Sequence, residues 1–182
     1  MNGILKGVRP LDYVLAALMT AAGAYLMYEN VTAASDINLP HALSSRSWMM
    51  LPPFLLVTLP ILWRRRNILA VIGVTAVATA IHVLAFGWIT RCGVVLPLSC
   101  ALAYAVARFA GARRNHVIGL VGVLVVQLLA IVKDASIDGM ASAIVIAVPA
   151  AAVFYGIGLI VQTRVTRKQP AAVTPLVERA AA

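Results

Sequence analysis

Acidic residues are scarce in this chain: six Asp and Glu stand against fifteen Lys and Arg in 182 residues. Charged residues of both signs make up only 12%, and 62% of the chain is hydrophobic. A soluble domain carries about 25% charged and about 45–50% apolar residues. That balance, with a mean hydropathy of +0.94, excludes an ordinary soluble domain and reads as an integral membrane protein.

The other shortages exclude chemistry. No pair of carboxylates falls inside an apolar run, so a proton or ion pump has no relay. The three histidines, His41, His82 and His116, fall in a polar connection, near the end of an apolar run and at the head of another. Ligands at three depths do not make one metal site. The two cysteines, Cys92 and Cys100, are eight residues apart. On one helix that is about 12 Å of rise, beyond the ~7 Å Cα separation a disulfide tolerates, so both read as buried free thiols. Gly156-Ile157-Gly158 sits within an apolar run and forms no phosphate cradle. Ser99 has no partner histidine and acid, so nucleophilic catalysis has no support. No catalytic, metal or cofactor-binding residue is expected, and no enzymatic activity. The net charge of +9 is not interleaved with aromatics in one patch, which argues against nucleic acid.

What remains is six apolar runs: Tyr13 to Tyr28, Trp48 to Trp63, Ile68 to Phe86, Val94 to Phe109, Val117 to Val132 and Met140 to Gln162. Tyrosines or tryptophans bound the first two, as in membrane aromatic belts. Between the second and third runs lies Arg64-Arg65-Arg66, the densest positive charge in the chain. An arginine at a helix centre costs about 2.5–3.5 kcal/mol on insertion scales. The triplet therefore marks a loop, and by the positive-inside rule an inner one. Arg113 and Arg114 mark a second inner loop. Only Arg46, Arg91 and Lys133 then fall outside, leaving twelve of the fifteen basic residues inside. The expectation is an all-α, polytopic helix bundle of six spans in the cell membrane, with both termini cytoplasmic. Residues 1–163 form the membrane domain and 164–182 a short basic disordered tail. A cleaved signal peptide ending near Val31-Thr32-Ala33 is the minor alternative for the first run.

Several residues inside this frame have a structural and a functional reading. Asp12 follows Pro10 at a helix start, where the dipole favours a carboxylate. Pro60 and Pro149 lie inside runs and predict kinks. Gln127 predicts an interhelical hydrogen bond. Ala103, Ala107 and Gly111, and likewise Ala143, Ala147 and Ala151, form small-residue ridges where another helix packs closely, and they are the expected faces for signalling contacts and association with a partner. His41, in the long connection from Asn30 to Ser47, is a candidate pH-sensing group, though a lone loop histidine is more often solvated. His82 is the second sensing candidate, weighed against a neutral imidazole bonded to a neighbouring helix.

The order of features resembles a known family. Arg9-Pro10-Leu11-Asp12 opens the first run, Leu59-Pro60-Ile61-Leu62-Trp63-Arg64-Arg65-Arg66 closes the second, and Ala103-Tyr104-Ala105-Val106-Ala107-Arg108 closes the fourth, ahead of Arg113-Arg114. Over about residues 6 to 168 this is similar to the N-terminal membrane sensor region of actinobacterial two-component sensor histidine kinases. Asn67 departs from it, standing where a small residue and a proline are expected. No histidine follows His116 and there is no nucleotide-binding box. The resemblance thus implies a non-catalytic sensor or regulatory module that neither binds ATP nor autophosphorylates. Its implied partners are the lipid bilayer, itself, or a separate histidine kinase met through the membrane helices. A small transporter or channel subunit is the alternative, with the prolines of the second, fourth and sixth runs bending around a path.

Overall fold

The computed structural model describes residues 8–33 and 39–167, and the descriptions below concern those residues. They form an all-helical bundle: α1 (Pro10–Thr32), α2 (Leu51–Thr58), α3 (Ile68–Phe86), α4 (Cys92–Phe109), α5 (Arg113–Ile131) and α6 (Met140–Arg167). The only strand-like feature among them is a parallel bridge between Ile89 and Asp134. Five of the helices are long and apolar enough to cross a bilayer. The fourth and fifth, at 18 and 19 residues, begin two and four residues earlier than the sequence suggested and reach crossing length.

The remaining segment, Trp48–Trp63, is shorter. It is α-helical only over α2, with 3₁₀ turns at Trp48–Met50 and Leu59–Trp63. Pro60 explains the second change of winding, because it has no N–H to give the carbonyl four residues back. The tighter winding also lengthens the segment. Eight residues at about 2.0 Å and eight at about 1.5 Å reach about 28 Å, near the ~30 Å hydrocarbon core.

Helix starts are set locally. The α1 start is a reciprocal turn in which Arg9 N donates to Asp12 Oδ2 (2.9 Å) and Asp12 N donates to Arg9 O (2.9 Å). Asn67 caps α3 by accepting from Ala70 N at 3.1 Å. Gly87 closes α3 and Gly111 follows α4, at φ of +62° and +71°, where glycine carries no steric penalty.

The central helix is α4, whose core side chains Val95, Leu98, Leu102, Ala105 and Val106 are fully buried. It packs most extensively on α6, with α5, α3 and α1 around it. A Cβ placed on Gly158 of α6 would lie 2.6 Å from Ala107 Cβ and 2.8 Å from the Tyr104 carbonyl, so the two backbones meet there. Ala103, Ala107, Ala147 and Ala151 are all buried within the chain. These four positions, expected to face a partner, are therefore filled by intramolecular packing instead. Ala143 is half-buried, and Gly111 is exposed beyond the end of α4.

The sixth helix continues five residues past Gln162, so Arg164 and Arg167 are helical. The rest of the tail, 168–182, lies outside the described residues, as do Lys6, Asp36 and the residues just downstream of the alternative cleavage site.

Candidate functional site

Two polar clusters close the bundle, one at each end. The first forms at the arginine triplet. Asp12, fully buried, accepts from Arg64 Nε at 2.9 Å on Oδ1 and from Arg65 Nε at 2.7 Å on Oδ2. Arg64 Nη2 adds a 2.8 Å contact to Oδ1. The Arg65 guanidinium also stands 5.0 Å over the Phe109 ring at the end of α4. Asp12 is thus more than a helix-dipole residue: it ties the start of α1 to the loop after the second segment. Arg113 and Arg114 stay exposed at the start of α5, and Arg66 is exposed beside the cluster. Nearby, His116 Nδ1 and the Tyr155 hydroxyl are 2.9 Å apart, joining α5 to α6.

The second cluster lies at the opposite end and is built around Arg91. The charge count only placed this residue outside the spans; among the described residues it is the largest fully buried side chain. All five guanidinium N–H groups find acceptors. Nε donates to His82 Nδ1 at 3.2 Å. Nη1 donates to the carbonyls of Lys133 (2.9 Å) and Ile89 (3.4 Å). Nη2 donates to those of Gly87 (2.7 Å) and His82 (3.4 Å). Carbonyls from the end of α3, the following turn and the loop after α5 thus form a cage for one cation.

Asp134 supplies the opposite charge without touching the guanidinium. It is also fully buried, and its Oδ2 accepts from Arg91 N (2.6 Å) and Cys92 N (2.7 Å). It therefore caps the start of α4 from outside the helix, 42 residues downstream of Cys92. The cap satisfies orphan N–H groups and places a carboxylate at the positive end of the dipole. Its Oδ1 takes Ser136 N (3.0 Å) and Ser136 Oγ (2.6 Å). Burial pulls the Arg91 guanidinium down to about 10, with the Asp134 charge opposing that fall, so Arg91 remains a cation at neutral pH.

His82 is fully buried between the rings of Phe54 and Phe86. Its Nδ1 accepts from Arg91, which leaves the proton on Nε2 to be donated to Met50 O at 3.1 Å. The imidazole is a neutral bridge from Arg91 to the start of the second segment. Asn30 adds α1 to the same end, with its Nδ2 donating to Thr90 O and its Oδ1 accepting from Thr90 N, both at 2.9 Å.

The segment that carries these ligands is shaped for it. Lys133 has φ +55°, the left-handed region that few non-glycine residues occupy. Its carbonyl takes Arg91 and also Ile89 N at 3.4 Å. His41 reaches this segment from the other side. Its N–H donates to Ala135 O (3.3 Å) and its ring lies 4.0 Å from that of Trp88. His41 is half-buried and stacked, not simply solvated. Between these parts lies a cavity of about 320 Å³, lined by His41, Trp88, Ile131, Val132, Lys133, Ile137, Asp138, Gly139 and Met140. The two sensing candidates are thus brought to one end of the molecule, His41 in the cavity wall and His82 beneath it.

Gln127 lies between the two ends. Its Nε2 donates to Ser99 Oγ (3.0 Å) and to Ala147 O (2.9 Å), linking α5 to α4 and α6. Cys92 and Cys100 are buried free thiols. Among the described residues no three His, Cys, Asp or Glu side chains gather as a metal site.

Arg91 and Asp134 carried no signal as a site because their partners are mainly backbone atoms, which every sequence has. The one hint was a pair of opposite charges each lying within a few residues of an apolar run. No protein-family model matches this chain, and no curated protein or solved structure is significantly similar to it.

Proposed function

We propose that this multi-pass membrane protein is a non-catalytic sensing or regulatory module. It responds to a small molecule at the Asp134 end and passes the response through helix contacts. The observation that carries the reading is the seating of the 320 Å³ cavity on the Arg91 cage. Lys133 belongs to both: it lines the cavity, and its carbonyl holds the guanidinium. A ligand that shifts Lys133 therefore acts on Arg91, through His82 on α3, and through the Met50 carbonyl on the second segment.

The lining suggests the ligand class. One ammonium (Lys133), one carboxylate (Asp138), a stacked ring pair and the aliphatic Ile131 and Ile137 suit a small zwitterion with an apolar body. The sensor-region resemblance agrees with this reading. The charge bias along the chain supports an orientation with the cavity outside and both termini in the cytoplasm, in the cell membrane. A separate histidine kinase or a second copy would then meet the exposed helix faces, and the chain itself would neither bind ATP nor carry phosphate.

The transporter reading ranks second. It needs prolines bent around a path, and Pro97 and Pro149 face the outer surface of the bundle.

The test uses full-length protein in nanodiscs with Trp48→Phe and Trp63→Phe, leaving Trp88 as the one fluorophore of its type. Titration with a panel of free amino acids should give a saturable change with at least one, abolished by Asp138→Asn. Silence across the panel, or an unchanged response in Asp138→Asn and Lys133→Gln together, refutes the zwitterion site.

A further inference from the structure

The three histidines differ in what their rings hold. His82 uses both ring nitrogens, toward Arg91 and Met50. His116 uses Nδ1 toward Tyr155. His41 donates through its backbone N–H, and neither of its ring nitrogens has a hydrogen-bond partner among the described residues. This half-buried ring can therefore take a proton without breaking a bond. Resting on the small-molecule reading of the 320 Å³ cavity given above, we propose that His41 sets the charge preference of that cavity. With His41 neutral the cavity selects a zwitterion. With His41 protonated it turns toward a monoanionic carboxylate.

Formal charges around the ring fix the direction. Lys133 and Asp138 are the other charged residues of the lining, and they cancel. Behind them Arg91 and Asp134 also cancel. The guanidinium is held by an imidazole and four carbonyls, and the carboxylate by Arg91 N, Cys92 N and Ser136. The start of α6 brings no titratable side chain before Tyr155. Arg46, on the same connection as His41, is exposed and not part of the lining. Glu29 of α1 lines a separate cavity with Leu39 and Leu43. The lining is thus neutral when His41 is neutral and carries +1 when it is protonated.

Protonation also has a local partner. The His41 and Trp88 rings lie 4.0 Å apart at 33°, within the ~6 Å at which an indole face attracts a cation. Histidine is the side-chain type whose charge changes between about pH 5 and about pH 8. Acidification therefore adds a positive charge to the wall. A zwitterion has no net charge and gains little from it. A monoanion gains about tenfold in affinity, the effect of one unit charge ~6 Å away at an effective dielectric constant of ~40.

The experiment uses the full chain with Trp48→Phe and Trp63→Phe in phosphatidylcholine nanodiscs, read by Trp88 emission. The probes are leucine and 4-methylpentanoate, which share an apolar body and differ by the ammonium group. Without ligand, emission should fall through one transition between about pH 8 and about pH 5, because a stacked imidazolium quenches indole. His41→Gln should lack that transition. The affinity for 4-methylpentanoate relative to leucine should rise about tenfold from about pH 8 to about pH 5.5, and stay flat in His41→Gln. Asp138→Asn makes the lining +1 without a proton, so at about pH 8 it should bind 4-methylpentanoate about tenfold tighter than its parent does. Absence of the ligand-free transition, or its persistence in His41→Gln, overturns the proposal. A transition with an unchanged preference between the probes also overturns it and leaves the zwitterion site standing. Binding of neither probe at either pH removes that site and the proposal with it. Should His41→Gln fail to fold, Asp138→Asn decides: an unaltered affinity for 4-methylpentanoate means that the charge of the lining does not set the preference.

Discussion

Each end of the bundle buries arginine beside aspartate, yet the two ends satisfy those charges differently. At the triplet end Asp12 meets two guanidiniums directly, and the Arg64 and Arg65 side chains keep 11% and 22% of their exposure. At the other end Asp134 accepts from backbone N–H groups, while the Arg91 guanidinium is held by an imidazole and four carbonyls. The first arrangement is an ion pair at a wet edge, where water and salt share the field. The second is a dry cage in which each charge is solvated by protein dipoles. Removing a partner from a wet pair lets water replace it. Removing one from a dry cage leaves a charge or several acceptors without replacement.

That difference predicts the largest effect at Asp134. Asp134→Ala removes the α4 cap and leaves Arg91 as a buried charge without its counterion, which costs about 3–5 kcal/mol. Thermal unfolding in detergent should show a larger loss for it than for any other single variant named below. Arg91→Met removes the cation and strands its acceptors, at a cost of about 3 kcal/mol. The two changes share one network, so the double variant should cost less than the sum of the singles, by about 1–3 kcal/mol. Strict additivity would mean that Asp134 acts only as a helix cap and that the electrostatic side of the comparison is wrong.

The contrast also explains what could be read from the sequence. The triplet end was legible because its signals are local: a proline and an acid at a helix start, and three adjacent arginines that hydrocarbon rejects. What stayed hidden there was that these two signals meet, since no spacing rule joins residue 12 to residues 64 and 65. The spans were legible as apolar runs; the 3₁₀ winding of the second followed from Pro60 but its effect on length did not. Arg91 and Asp134 looked like ordinary turn charges, because burial is decided by the tertiary fold and most of their partners are backbone. The alanine ridges were legible as surfaces for close packing, yet periodicity cannot say whether the facing helix belongs to the same chain. Here Ala107 faces Gly158 of the same chain.

A smaller effect is expected at the triplet end. Asp12→Asn keeps the shape and some hydrogen bonding but removes the charge, at about 1–2 kcal/mol. Because the pair lies at a wet edge, the gap between wild type and Asp12→Asn should narrow as salt rises from about 0.05 to about 0.5 M, where the Debye length falls to a few Å. The Asp134→Ala gap should hold over the same range. Equal salt sensitivity at both ends would erase the distinction between wet pair and dry cage. Neutralising Arg64, Arg65 and Arg66 together tests topology separately: impermeant labelling of single cysteines placed at positions 65 and 88 should become mixed where wild type gives inside and outside.

The smallest effect is expected midway between the ends, at Gln127. Its amide donates to Ser99 Oγ and Ala147 O, which looks like strong interhelical bonding in a place without water. Two considerations reduce its worth. Interhelical hydrogen bonds between membrane helices average about 0.6 kcal/mol, because the separated helices find other partners in the bilayer. The Gln127 Oε1 atom is also buried with no hydrogen-bond partner, so the native state already carries the cost of one unsatisfied acceptor. Gln127→Leu gives up two donated bonds, removes that acceptor and nearly keeps the side-chain volume. Its loss should therefore be about 0.6 kcal/mol or less, insensitive to salt because no charge is involved. Unfolding of Gln127→Leu beside Asp12→Asn and Asp134→Ala under one set of conditions gives the order directly. A Gln127→Leu loss as large as that of Asp134→Ala would locate the main polar restraint in the middle of the bundle rather than at its caged end.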